Sequence, residues 1–365
     1  MNIAIIFGGK SVEHDISILT ALHAAKHVME DKRVHLVYLS RENEIVVGRA
    51  LGNLDFYTSR KGRVNRAWFG DGCLYKRASF GRVKKVAKID CVINCCHGGV
   101  GENGSIAALM DIAGIPVTSP PLHSAANIMS KSMTRDILGM AGFVQPDFNV
   151  YSDVDALREA KFPVIVKPDA LGSSIGISVA QDELELKAAV ELAFSLDNKV
   201  IVEEFIVDAV EVNCSAFMHG GKILISECEV MNKKDKKGLD MLAFEDKYLD
   251  ADSGFIKKSG EEEEKVDPKM LAVFEEVGKL TKKAYEIFEL GGVVRADFLV
   301  ADGRVILNEI NAPPGFLAYH LWMKGGIPYG ALLDLLVEEA MSNREKRLCT
   351  TFESDVLGQN RALVD

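Results

Sequence analysis

Residues 167–176 read Lys-Pro-Asp-Ala-Leu-Gly-Ser-Ser-Ile-Gly, a lysine that leaves an apolar run and enters a loop of small residues. The preceding run, Phe162-Pro163-Val164-Ile165-Val166, stops at Pro168, which has no N–H for a ladder, so it reads as a strand ended by proline. Small residues let backbone N–H groups close around an anion, and Lys167 adds a point charge. The loop therefore has the pattern of a phosphate cradle, although taken alone it also fits a flexible turn. It is not a P-loop, in which the lysine follows the glycines and a helix begins at once. A strand at Ile177–Ala180, a helix at Glu183–Phe194 and a strand at Lys199–Phe205 complete a small α+β unit around it.

Working outward, Glu203-Glu204-Phe205-Ile206 and then Glu211 put acidic groups at a strand end. Carboxylate and backbone contacts there suit ribose hydroxyls and an adenine amino group; a solvated surface fits the pattern as well. Glu211–Met218 and Lys222–Val230 read as two β-runs joined through His219-Gly220-Gly221, a hairpin signal. The charged stretch from Asn232 to Lys265 cannot bury much apolar surface and reads as a mobile lid over 232–265. From Pro268 the spacing predicts an amphipathic helix through Leu290. Strands Val293–Val300 and Arg304–Ile310 then flank an Ala301-Asp302-Gly303 turn. Residues two apart on a strand share a face, so Arg295 with Asp297, and Glu309 with Asn311, meet across this hairpin. Asp297, Glu309 and Asn311 form a hard oxygen set suited to magnesium holding polyphosphate; one arginine–carboxylate pair on a solvated sheet face is the plainer reading.

Upstream, Asn2–Phe7 reads as a buried strand, Gly8-Gly9 as a turn and Ser17–Met29 as a helix. Strands at Val34–Ser40 and Asp90–Cys96 and a helix at Ser105–Ala113 continue a parallel α/β layer. Residues 49–88 lack clear periodicity and are read as short strands and loops. Ser119-Pro120-Pro121 marks a boundary, followed by a helical stretch from about Ser124 to Met140. Another helix is expected at Asp153–Ala160, and a last one at Tyr329–Met341 before a weakly ordered stretch to Asp365. The fold class is thus α/β and α+β: a Rossmann-like parallel-sheet domain over 1–122, subdomains at 123–207 and 208–345, and a tail at 346–365.

The chain of 365 residues has 43 Lys+Arg against 53 Asp+Glu, a formal net charge of -10, which argues against a general nucleic-acid binder. No apolar run approaches the ~20 residues of a membrane span, and no cleavable signal opens the sequence, so a cytoplasmic location and no membrane partner are expected. The 7 cysteines form neither a disulfide framework nor a paired metal motif and read as reduced thiols.

Taken in order, the phosphate-cradle loop, the acidic strand end and the carboxylate hairpin resemble the ATP-grasp superfamily. Five stretches narrow the likeness to the D-alanine–D-alanine ligase family: Gly8-Gly9-Lys10-Ser11-Val12-Glu13-His14-Asp15-Ile16-Ser17, His97-Gly98-Gly99-Val100-Gly101-Glu102-Asn103-Gly104, Lys167 to Gly176, Glu245-Asp246-Lys247-Tyr248, and Arg295-Ala296-Asp297 with Asn308 to Gly315. The resemblance spans residues 2 to about 340.

It implies a two-subdomain clamp on ATP, Mg²⁺ (with Mn²⁺ as a substitute), small-molecule amino-acid substrates, and a homodimer. By the same resemblance Lys131 and Lys167 contact phosphates, Ser173 and Ser174 lie on the phosphate loop, and Lys247 closes over them from the lid. Asp297, Glu309 and Asn311 would hold the metal, while Glu203, Glu204, Ile206 and Glu211 would contact the nucleotide. Arg295 and the Gly315 N–H correspond to an oxyanion hole. Glu13, with Ser173 and Tyr248, would anchor the first amino acid's ammonium, and His97 would orient that substrate.

After Gly315 the family continues G-[FM]-T-x-x-S-L, whereas this chain has Phe316-Leu317-Ala318-Tyr319-His320-Leu321, and Asn103 stands where aspartate is usual. His320 and Leu321 thus fall on the acceptor positions. Formation of D-alanyl-D-alanine for peptidoglycan is the leading expectation. The alternatives are a ligase with another acceptor (D-serine, another amino acid or a peptide) and a non-catalytic nucleotide-binding regulator.

Overall fold

A computed structural model describes residues 1–59, 61–231 and 268–348. Its described residues build three sheets. The first contains β1 (Asn2–Gly8), β2 (Arg33–Leu39), β3 (Ile45–Val47), β4 (Asn65–Gly70), β5 (Cys73–Arg77), β6 (Val83–Lys88) and β7 (Cys91–Asn94), in the order β6-β5-β4-β3-β2-β1-β7. Only β2, β1 and β7 run parallel; the others pair antiparallel. The aperiodic stretch at 49–88 is thus an antiparallel extension of the expected parallel layer. Parallel pairing needs a long crossover, whereas antiparallel strands need only tight turns such as Asp71-Gly72, both at positive φ. Strand β1 is apolar on both faces because helices cover both sides. Helix α1 (His14–His27) lies on one core, with Ile3, Ile5 and Phe7; α2 (Asp55–Ser59) is a short turn; α3 (Ser105–Ala113) packs on the other, with Ala4 and Ile6.

The expected helix at 124–140 is two helices, α4 (Leu122–Met129) and α5 (Lys131–Met140). Ser130 takes an extended conformation between them, and its Oγ accepts from the Met133 N–H as an N-cap. The second sheet contains β8 (Phe148–Tyr151), β9 (Val164–Pro168), β10 (Ser178–Ala180) and β11 (Val200–Glu204) in the order β10-β9-β11-β8, covered by α6 (Glu183–Phe194). No helix forms at 153–160: a single 3-10 turn spans Val154–Ala156, and the Asp153 side chain accepts the Asp155 N–H at 3.0 Å. That local bond competes with helix propagation.

In the third sheet β12 (Val210–His219) is flanked by β13 (Lys222–Ile225) and β14 (Glu229–Met231) on one edge. Beyond its other edge lie β15 (Val294–Ala301) and β16 (Arg304–Asn311). The single run expected at 222–230 is therefore split. Both hairpin turns, Gly220-Gly221 and Asp302-Gly303, have positive φ at each central residue, the type I′ geometry that matches strand twist. Helix α7 (Pro268–Ile287) packs on this sheet. A short α8 (Tyr319–Lys324) leads to α9 (Tyr329–Leu348), which runs past the expected end at Met341; residues 349–365 lie outside the described set, as does most of the expected tail. The last helix returns to the start of the chain: Leu332, Leu333 and Leu336 share a core with Ile3, Ile5 and Ala21.

Candidate active site

Strand β9 delivers Lys167 to the junction of the second and third sheets. Its Nζ donates to Glu203 Oε2 at 2.6 Å and Asn308 Oδ1 at 3.2 Å. On the other carboxylate oxygen, Arg135 Nε of α5 donates at 2.5 Å, and Arg135 Nη1 donates to the Leu307 carbonyl at 2.6 Å. Glu203 is 2% exposed. Burial pushes its carboxyl up, but the Lys167 and Arg135 charges outweigh this and hold it at about 2. The Glu203 carboxylate is thus engaged inside the protein, positioning Lys167.

Lys131 opens α5, and its Nζ donates to the Leu171 carbonyl at 2.5 Å. Asp169 fixes this joint. Its Oδ1 accepts the Ser132 N–H at 2.7 Å, its Oδ2 the Ser130 hydroxyl at 2.6 Å, and its carbonyl the Lys131 N–H at 2.9 Å. The loop itself turns through Ser173 and Ser174 at φ 55 and 54, left-handed positions that cost non-glycine residues about 1 kcal/mol each. Ser173 Oγ donates to Glu13 Oε1 at 2.6 Å, joining the loop to the N-terminal domain. Gly98 closes in from the other side with φ +63, where an added Cβ would stand 2.3 Å from Ser11 Oγ and 2.6 Å from Glu13 Oε2.

On the β15/β16 hairpin Asp297 faces Glu309 and Arg295 faces Asn311, as the alternation required. Arg295 grips Asp297 at two points, 2.6 and 2.7 Å, and Asn311 Nδ2 adds a third bond at 2.9 Å. Burial raises the Asp297 carboxyl to about 6; Arg295 opposes the rise, while Glu309 and Glu211 add to it. A cation placed among these oxygens relieves that repulsion. Among the described residues no three His, Cys, Asp or Glu side chains converge on a metal, so phosphate oxygens and water would complete a magnesium shell, its usual habit. The residues fit the ion on those terms.

Two cavities adjoin here. One of about 40 Å³ is lined by Lys131, Leu171, Gly172, Glu309 and Asn311; one of about 240 Å³ by Glu13, His97, Arg295, Gly315, Phe316 and His320; Glu102 and Asn311 line both. Sequence reasoning missed Glu102 as a site residue, although it sits inside the quoted His97–Gly104 run. Its Oε1 accepts the Gly98 N–H at 2.8 Å, and burial beside Glu13 and Glu309 raises its carboxyl to about 8. His97 is buried and held neutral, its pKa lowered to about 4 chiefly by burial. Its Nδ1–H therefore donates to the Pro313 carbonyl at 3.1 Å, and Nε2 accepts from the Thr20 hydroxyl at 2.8 Å. With both nitrogens engaged, His97 positions the Pro313–Phe316 loop.

Beyond that loop, Phe316, Leu317 and Ala318 all have positive φ, and burial of all three holds the turn. The turn aims His320 at the larger cavity and buries Leu321 completely. Leu321 is outside the lining of both cavities, and its side chain packs in the interior. At the acidic strand end Glu204 pairs with Arg304 at 2.9 and 3.1 Å, Ile206 is buried, and Glu211 stands on β12 opposite Leu299. Lys247 and Tyr248 lie outside the described residues, as does the expected lid.

Residues 2–120 match the family model described as D-ala D-ala ligase N-terminus, and residues 139–338 the one described as D-ala D-ala ligase C-terminus. The chain belongs to the D-alanine–D-alanine ligase family. A D-alanine–D-alanine ligase from Thermosipho melanesiensis is 31% identical, with 98% of each chain covered. One from Campylobacter concisus is 33% identical over 93% of this chain and 94% of its own. The crystal structure of the D-alanine–D-alanine ligase from Helicobacter pylori superposes with a TM-score of 0.74 at 26% identity, covering 93% of this chain and 98% of that one. Within the D-alanine–D-alanine ligase family, the departure at His320 now has a place: the wall of the cavity that also holds Arg295 and Gly315.

Proposed function

We propose that the protein is an ATP-dependent D-alanine–D-alanine ligase, forming the dipeptide used for peptidoglycan. One observation carries the reading. A chamber lined by the phosphate-side lysine Lys131 and by Glu309 adjoins a chamber lined by Glu13, Arg295 and Gly315, and the two share Glu102 and Asn311. That arrangement suits a carboxylate that must first meet a phosphate and then an amine.

In the first step the carboxylate of one D-alanine attacks the γ-phosphorus of ATP, and ADP leaves. Lys131 and Lys167, held by Leu171 and Glu203, neutralise charge and fix the in-line geometry. Ser174 lies on the same loop, and Glu204, Ile206 and Glu211 border the nucleotide; Lys247 belongs to this set by sequence. Asp297, Glu309 and Asn311 would hold Mg²⁺, which supplies charge neutralisation to the phosphates when bound. In the second step the amine of the other D-alanine attacks the acyl phosphate, loses a proton and expels phosphate. Arg295 and the Gly315 N–H stabilise the tetrahedral oxyanion, and Glu13 with Ser173, and Tyr248 by sequence, anchors the first ammonium. A cytoplasmic homodimer, where ATP is at hand, is the setting we propose.

A different acceptor is the second reading, favoured by His320 on the cavity wall. Purified protein supplied with ATP, Mg²⁺ and pairs of D- or L-amino acids should release ADP, and the product mass names the acceptor. Failure to release ADP with every pair would sink both readings. Arg295→Ala should lower turnover about 10²–10³-fold while ATP affinity changes little; small, equal effects would favour a regulator that only binds nucleotide.

A further inference from the structure

Between the register pairs Ala216↔Ile225 and Asn213↔Glu229, three residues of the outer strands (Ser226, Glu227, Cys228) stand opposite two of β12. An extra residue bends a strand and re-aims the side chains beyond it. The first of these to pair again is Glu229, opposite Asn213; Asn213 in turn pairs with Asp297, and Asp297 with Glu309. Paired neighbours point to one side of a sheet, so Glu229 extends the row of active-site carboxylates across the sheet.

Its carboxylate is divided between His320 and Lys324. Oε2 is 3.2 Å from His320 Nε2, and Oε1 is 2.5 Å from Lys324 Nζ. The His320 hydrogen bond, opposed by partial burial and aided by Lys324, holds the Glu229 carboxyl at about 2, so it is ionised at neutral pH. His320 thus commits Nε2 to Glu229 and keeps Nδ1 for a ligand, on a side chain that lines the 240 Å³ cavity. On that wall Asp297 engages Arg295 Nε and Nη2 and Asn311 Nδ2, Pro313 and Thr20 engage His97, and the Arg295 guanidinium and Gly315 N–H are assigned above to the oxyanion. An acceptor amino acid brings a carboxylate into a cavity that already holds Glu13 and Glu102. Lys324 offsets the Glu229 charge, which would otherwise repel that carboxylate.

We propose that Glu229 is a positioning residue for the acceptor: it takes the Nε2–H of His320 and holds the ring with Nδ1 toward the cavity, where the doubly protonated ring donates Nδ1–H to the free carboxylate of the incoming amino acid, and so selects acceptors that carry one. This rests on the ligase reading above. D-Alaninamide tests it, because the amide has an amine to attack with but no carboxylate to be held.

With saturating ATP and D-alanine as donor, the wild type should need about tenfold more D-alaninamide than D-alanine as acceptor, the effect of one charge-assisted hydrogen bond. Glu229→Gln and His320→Asn should bring the two acceptor KM values together by raising that of D-alanine, leaving the KM for ATP unchanged. Glu229→Asp should restore part of the preference. The double variant should be no worse than His320→Asn alone, because the two act as a unit. Undiminished discrimination in Glu229→Gln, full additivity, or a parallel rise in the KM for ATP would overturn the proposal. Absence of ADP release by the wild type with D-alanine would instead remove the ligase reading.

Discussion

Glu203→Gln removes the one negative charge between Arg135 and Lys167, leaving two buried cations without their counter-ion. The carboxyl sits at about 2 in the folded chain against a reference of 4.5, a depression of roughly 2.5 pKa units. At about 1.4 kcal/mol per unit this is about 3 kcal/mol of stability at neutral pH. Measured losses on breaking buried ion pairs, about 3–5 kcal/mol, fall in the same range. The sign comes from the lowered folded value: the contribution is full above the unfolded pKa of 4.5 and disappears as pH falls toward 2. About 2 kcal/mol of it should be gone by pH 3. Urea denaturation of wild type and variant at pH 7, repeated at acidic pH, measures the difference directly, and ATP titration reports on Lys167. A loss below about 1 kcal/mol at pH 7, or a difference that grows on acidification, would refute the assignment of Glu203 as the counter-ion of that lysine.

Glu102→Gln should be close to neutral for stability at pH 7, since a carboxyl raised to about 8 is already protonated there. Because that folded value is raised, wild-type stability should fall as pH rises from about 5 to about 8, and thermal melts of Glu102→Gln should lack that component. Asp169→Ala strips the Ser130 and Ser132 bonds from the start of α5, and should cost about 2 kcal/mol and raise the KM for ATP through Lys131. An unchanged KM for ATP would show that Lys131 does not depend on the cap. Gly98→Ala drives a methyl into Ser11 and Glu13, so donor binding should weaken more than ATP binding in steady-state kinetics.

The Arg295–Asp297–Glu309–Asn311 hairpin was legible in the chain because strand alternation and a two-residue turn are local rules: residues two apart share a face whatever the rest of the molecule does. The Lys167 strand and its glycine–serine loop were legible for the same reason. Helix breaks were less so. Ser130 interrupts the 124–140 helix to meet Asp169, a partner 39 residues away, and Asp153 ended a helix that periodicity favoured.

Position alone placed Glu203 beside Glu204 as equivalent acids, yet alternation sends one to Arg135 and Lys167 in the interior and the other to Arg304 at the edge. Glu102 and Asp169 sit inside quoted motifs and Glu229 outside them, yet the sequence marks the role of none of the three, because a carboxylate becomes special through burial and neighbours that arrive from distant segments. Local pattern was enough for the fold family, the glycine–serine loop and the carboxylate hairpin, since each rests on the order of a few neighbouring residues. Three-dimensional packing settled which acids are spent, which is protonated and what holds His320. Those properties depend on dielectric and on charges brought together across hundreds of residues, and no local pattern encodes either.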